Sequence, residues 1–126
     1  MLQHVALEIA PADTEAALAF WRLLDFEPVE VPRSLGSGVR WVERSGTQVH
    51  LLETEQPTAP PLGHPAVVVD DYTEAVGRLR MAGHPVTERR RHWGAARAFA
   101  TAPGGHRVEL MESPPPATRG AAHAPD

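Results

Sequence analysis

The chain repeats itself. His4-Val-Ala-Leu-Glu-Ile returns as His64-Pro-Ala-Val-Val-Val, Thr14-Glu15-Ala16 as Thr73-Glu74-Ala75, Pro28-Val29 as Pro85-Val86, and Val49-His50-Leu51-Leu52-Glu53 as Val108-Glu109-Leu110-Met111-Glu112, each 57 to 60 residues on and in the same order. A match at a near-constant offset means one supersecondary unit used twice. A unit of about 55 residues buries too little apolar surface to stand alone, so the halves must pack on each other or on those of a second chain.

Within each half the apolar periodicity reads strand, helix, then three strands. Asp13 is a candidate N-cap, and Ala17, Phe20, Trp21 and Leu24 follow it at helical spacing as one apolar stripe. Asp71-Tyr72-Thr73-Glu74 is close to a capping box, with Tyr72, Ala75, Val76, Leu79 and Ala82 on one face and Gly83 as the stop. The strands expected after the helices are Glu27 to Val31, Val39 to Arg44 and Thr47 to Glu53, then Pro85 to Arg89, Ala95 to Thr101 and His106 to Glu112. Ser45-Gly46 and Pro103-Gly104-Gly105 are their hairpin turns. The expected organisation is α+β: a first βαβββ module over residues 1–53, a linker over 54–63, a second module over 64–112 and a disordered tail over 113–126.

Strand alternation then sorts the repeated positions. Val5, Leu7 and Ile9 share a face and should lie under the helix, as should Val49 and Leu51, Val67 and Val69, and Val108 and Leu110. His4, His50, His64 and Glu109 are left on the opposite face, at equivalent points of a twofold repeat. Two sheets curving about a common axis would bring these four potential metal ligands to one point. Arg107 and Met111 share the parity of Glu109, and Trp93 and Trp41 could line an apolar pocket, whereas Trp21 belongs to the helix stripe. His84, His92, His106 and His123 fall in turns, loops or the tail and read as solvated.

With no cysteine, any metal must be held by nitrogen and oxygen donors, and a disulfide framework is excluded. Imidazole and carboxylate together suit Fe, Mn, Ni, Co, Zn or Cu better than Ca or Mg. The net charge of −4 argues against a nucleic-acid surface, and no apolar run is long enough for a membrane helix. A strand-like run follows Met1 directly, so no secretory leader is read and a cytoplasmic protein is expected. All twelve basic residues are Arg, and Lys and Asn are absent, which fits a GC-rich bacterial coding sequence.

These residues resemble the vicinal oxygen chelate superfamily, which takes in glyoxalase I, extradiol dioxygenases, fosfomycin-resistance enzymes, methylmalonyl-CoA epimerase and bleomycin-resistance proteins. The resemblance rests on the two βαβββ units, the openings His4-Val-Ala-Leu-Glu-Ile and Gly63-His64-Pro-Ala-Val-Val-Val-Asp70-Asp71, and the closing Pro103-Gly104-Gly105-His106-Arg107-Val108-Glu109-Leu110. It covers roughly residues 2–112 and is specific for fold, weak for substrate.

The resemblance implies a curved mixed sheet around a metal cup, with one divalent metal ion held by His4, His50, His64 and Glu109. It implies a small substrate that chelates the ion through vicinal oxygens, in isomerase, lyase or dioxygenase chemistry, and a homodimer. His50 stands where glyoxalase I typically has a Glu that touches the metal and moves the substrate proton, so an imidazole here serves as ligand or as general base. Glu8 stands where glyoxalase I usually has an Arg, which makes a glutathione-dependent glyoxalase I a poor fit; it either meets solvent or recognises a cationic or hydroxylated group. Trp41 and Gln48 sit where fosfomycin enzymes place cavity aromatics, although Ala6 replaces their hydroxyl residue. Trp41, Gln48, Trp93, Arg107 and Met111 are the expected substrate contacts. The run Arg89-Arg90-Arg91 is either a solvated edge or an anion clamp at the mouth. The alternative is a non-catalytic, bleomycin-resistance-like dimer that sequesters a drug or natural product.

Overall fold

The computed structural model describes residues 1–117, so most of the expected tail, with His123, lies outside the described residues. In chain order the elements are β1 (His4–Ile9), α1 (Thr14–Arg22), β2 (Glu27–Val29), β3 (Val39–Arg44), β4 (Thr47–Glu53), β5 (Ala66–Val68), α2 (Tyr72–Met81), β6 (Val86–Glu88), β7 (Arg97–Thr101) and β8 (Arg107–Met111). They form two four-stranded sheets, β1-β4-β3-β2 and β5-β8-β7-β6. In each, the helix carries the chain from the first strand to the far edge, and two hairpins walk back until the last strand lies parallel beside the first.

The edge strands are shorter than their β-like sequence runs. Pro28 sits in β2, an edge position where a missing N–H costs no ladder bond. In the β3–β4 hairpin Ser45 (φ 50°) and Gly46 (φ 84°) both adopt positive φ, the two-residue turn whose twist matches the strands it joins. The Asp71 carboxylate accepts from the Glu74 N–H at 3.0 Å and caps α2 as expected. Asp13 does not cap α1 with its side chain: it closes a short 3₁₀ turn from Pro11 and is itself helical in conformation. Ala82 is exposed, because α2 ends at Met81 before another turn could bury it.

The alternation holds. Val42, Val49, Leu51, Ala98, Ala100, Val108 and Leu110 form one buried cluster with Ala17, Phe20, Trp21 and Leu24 of α1 and Tyr72, Ala75, Val76 and Leu79 of α2. Both modules thus bury their helix-bearing sides in a common core, which is how units too small to stand alone become stable. The opposite faces of the two sheets are left outside that core.

Two side chains clasp the modules reciprocally. Arg44, at the end of β3, donates to the Val68 carbonyl of β5 at 2.9 Å and pairs with Asp70 at 3.2 Å. His106, in the β7–β8 turn, donates from Nε2 to the Glu8 carbonyl of β1 at 2.7 Å. Glu8 and Val68 are equivalent positions of the repeat. His106 is therefore buried, 4 % exposed, and not solvated as its place in a turn suggested. The turn can approach β1 this closely because Gly104 has no side chain: a Cβ there would lie 3.3 Å from Ile9 Cγ2, and its φ of 93° favours glycine in any case. His84 is likewise half-buried, its ring edge-on to Phe20 across the module boundary at 5.1 Å, while His92 is exposed as expected.

Candidate functional site

The face of the first sheet opposite the helix carries a three-ring stack. His4 of β1 lies on His50 of β4 with centroids 4.0 Å apart and planes 12° from parallel, and His50 lies on Trp41 of β3 at 4.2 Å and 7°. Register explains this: Trp41 is directly opposite His50 in the β3–β4 ladder, and directly opposite residues share a face. A polar chain orients the middle ring. His50 Nε2 is 2.8 Å from Gln48 Oε1, and Gln48 Nε2 donates to Glu43 Oε1 at 2.8 Å. The Gln48 amide faces the imidazole with its oxygen, so Nε2 carries the proton and Nδ1 keeps its lone pair. Burial, and after it the neighbouring His4, lower the pKa of His50 below 6.5, favouring the neutral ring. Trp41 Nε1 is buried without a hydrogen-bond partner.

The equivalent face of the second sheet carries the other pair. His64 Nε2 is 3.1 Å from Glu109 Oε1, and His64 Nδ1 is 2.8 Å from the Leu62 carbonyl. A carbonyl can only accept, so Nδ1 holds a proton and Nε2 is aimed at the carboxylate. Glu109 is 7 % exposed, and Arg97 Nε donates to its other oxygen at 2.7 Å. Burial is the largest influence on this carboxylate and would raise its pKa, but the hydrogen bonds and charges of Arg97 and His64 together outweigh it and lower the value.

As a metal-binding pair, His64 and Glu109 fit. Two donors each about 2.1 Å from an ion, at right angles, lie about 3.0 Å apart, close to the separation found. A backbone carbonyl on the far imidazole nitrogen and an Arg on the far carboxylate oxygen are the supports that fix such ligands. His4 and His50 do not fit as a joint pair, because lone pairs lie in the ring planes and these planes are stacked. The expected gathering of all four in one chain does not occur: among the described residues no group of three or more His, Asp or Glu could hold one ion. The physical reason is that both modules turn their helix-bearing sides inward, leaving each half of the constellation on its own outward face.

The remaining candidates divide by environment. Gln48 orients His50, and Trp41 supports it. Arg107 lies over the Phe99 ring, with Cζ 4.1 Å from the centroid. Met111 is buried, paired in register with Val68 and Arg97. Trp93 donates from Nε1 to the Ser113 carbonyl at 3.2 Å, and Arg97 lies over it with Cζ 5.9 Å from the ring centroid. Glu8 neither meets open solvent alone nor aims at the site: its carboxylate accepts from the Thr58 N–H at 2.9 Å and ties down the linker. Two site residues, Arg97 and Phe99, were not singled out from the sequence. Phe99 is directly opposite Glu109 in the ladder and Arg97 two residues before it, so the same period-two parity would have found them.

A family model described as the Glyoxalase/Bleomycin resistance protein/Dioxygenase superfamily matches residues 1–110. No curated protein matches the chain. Among solved structures, a putative glyoxalase family protein from Bacillus anthracis shares 22 % identity over 90 % of this chain and 95 % of its own, with a TM-score of 0.80. The fosfomycin resistance protein FosX from Listeria monocytogenes shares 18 % over 90 % and 91 %, at 0.74. A bleomycin resistance determinant encoded on transposon Tn5 shares 15 % over 86 % and 96 %, at 0.63. At these identities the likeness is one of fold.

Proposed function

Because the chain belongs to the glyoxalase/bleomycin resistance protein/dioxygenase superfamily, we propose that it is a metal-dependent enzyme of that superfamily, acting on a small substrate that chelates the ion through vicinal oxygens. The observation that carries this reading is the His64–Glu109 pair, with donor atoms 3.1 Å apart and both far atoms already hydrogen-bonded. Bound there, a divalent ion such as Fe, Mn, Ni, Co, Zn or Cu would supply Lewis-acid stabilisation of an oxyanion.

Two ligands from one module are too few, and the second face of the same chain points elsewhere. We propose that the cup is completed by a second copy, whose first module brings His4 to the His64–Glu109 pair and places His50 beside the substrate. Charge supports this pairing: by ladder parity the first face carries Glu27 and Glu43 and no Arg, Arg40 and Arg44 of β3 lying on its other side, whereas the second face carries Arg107 beside the paired Arg97 and Glu109. His4, His64 and Glu109 then form a two-His, one-carboxylate set with open positions for a bidentate substrate. His50, neutral and held by Gln48, serves as general base, taking a substrate proton at Nδ1.

Elemental analysis of protein purified without a metal-chelating tag tests the reading. One ion per chain is expected in the wild type, with loss in His64→Ala and Glu109→Ala. Wild-type and variant proteins with the same trace metal content would refute it. A second reading, a non-catalytic drug- or natural-product-binding dimer, draws on the His4–His50–Trp41 platform, which suits a flat ligand; stoichiometric ligand binding by metal-free protein without turnover would select it.

A further inference from the structure

Five of the arginines, Arg22, Arg40, Arg44, Arg78 and Arg97, are matched by a carboxylate. Among the described residues Arg33, Arg80, Arg89, Arg90, Arg91 and Arg107 have no such partner; Arg107 lies on β8, and Arg89 to Arg91 directly follow β6 in the second module. Arg107 is the one set among the metal-site candidates. It precedes Glu109 by two positions on β8 and so shares its face. Its guanidinium lies 4.1 Å above the Phe99 ring, and the other side of its hydrogen-bonding capacity is met only by a long contact, 3.3 Å, to the Pro61 carbonyl. His64 meets the same Phe99 ring edge-on at 4.7 Å, and Arg89 approaches it at 5.8 Å. Phe99 is thus a spacer with the His64 imidazole on one part and two unmatched cations on others.

A guanidinium stacked on an aromatic ring keeps its planar N–H fork free and oriented in its own plane. Half-buried and without a carboxylate, it is short of one anion. We propose that Arg107, supported on Phe99 and reinforced by Arg89, binds an oxyanionic group of the substrate next to the metal-chelating oxygens, so that the substrate class is a small hydroxy acid carrying a second anionic group. This rests on the proposed metal site for the position of the chelating oxygens. Carboxylate and phosphate share the chemistry of a fork-shaped acceptor, and both are taken as candidates.

The test uses three probes on the full-length protein loaded with Mn²⁺, with affinity measured calorimetrically. Lactate offers a vicinal hydroxyl and carboxylate only; malate adds a carboxylate, and 3-phosphoglycerate adds a phosphate. Malate or 3-phosphoglycerate is expected to bind about tenfold or more tightly than lactate, the gain of one charge-assisted contact. Whichever of the two binds more tightly identifies the second anion. Arg107→Ala should abolish that preference while leaving Mn²⁺ affinity unchanged, and Arg107→Lys should restore part of it. Equal affinity for all three probes, absence of binding by all of them, or a preference that survives Arg107→Ala would overturn the proposal. Failure of the metal reading shows separately, as absence of Mn²⁺ binding by the wild type; malate and 3-phosphoglycerate must then still bind metal-free protein more tightly than lactate, and lose that advantage in Arg107→Ala, for the Arg107 assignment to stand.

Discussion

His50 lies face to face with His4, ring centroids 4.0 Å apart and 12° from parallel, so the two imidazoles cannot aim their in-plane lone pairs at one ion from where they sit. One of them must play another part: Gln3 holds His4 by Nδ1 at 2.7 Å, which leaves its outer Nε2 for an ion, whereas Gln48 holds His50 by Nε2 at 2.8 Å. His50→Ala is therefore expected to retain metal at wild-type stoichiometry and to lose turnover of a substrate by a factor of about 10² or more. Parallel elemental analysis and activity measurements check this; loss of metal together with activity would make His50 a ligand.

If the two half-sites meet only between copies, defects in different halves should complement. His4→Ala and His64→Ala homodimers would each lack metal. Refolded together, they would form hybrids in which one of two sites has an intact His4 and an intact His64–Glu109 pair. Metal content per hybrid should therefore recover to half that of the wild type. No recovery on mixing would mean that a single chain supplies the whole set.

His106 ties the β7–β8 turn to the Glu8 carbonyl at 2.7 Å and is buried while doing so. His106→Ala leaves that carbonyl without its partner and should destabilise the protein by about 1–3 kcal/mol, as measured by urea denaturation. Since Glu8 O lies on β1 and the turn belongs to the second module, the loss falls on the module interface and not on either sheet.

Tyr72 is the only tyrosine, so phenolate absorbance reports it alone. Burial first, then the charge and hydrogen bond of Glu88, push its pKa up to about 12 from 10.0. The folded state thus holds the proton more tightly than the unfolded state. The associated stability is complete below pH 10 and is lost as pH rises from there through 12. Alkaline titration of the folded protein should show a midpoint near 12, and Tyr72→Phe should remove this part of the pH dependence.

Arg97 is the strongest hydrogen-bond partner of the buried Glu109. In metal-free protein Arg97→Ala should cost about 1.5–3 kcal/mol at neutral pH. Because the folded pKa of Glu109 lies below its ordinary value of 4.5, the stabilisation is present above that value and disappears as pH falls through the folded pKa. The stability difference between wild type and variant should accordingly be largest above pH 4.5 and close on acidification, followed by thermal denaturation across the acid range.

Much of this molecule is determined by local pattern. The repeat at 57 to 60 residues, the period-two alternation of each strand and the helix stripes suffice to place β1, β3, β4, both helices and the helix-free faces bearing His4, His50, His64 and Glu109. These features depend on chain geometry over a few residues, and a residue carries them wherever the element packs. What only the tertiary structure decided is how the two modules meet. Nothing local to β1 or β8 says that both helix-bearing sides will share one core, that His106 will reach Glu8, or that Phe99 will stand between His64 and Arg107. Those contacts join residues far apart in the chain, and they are selected by which apolar faces can be buried together. For the same reason the four residues alike in the repeat form two separate pairs within one chain.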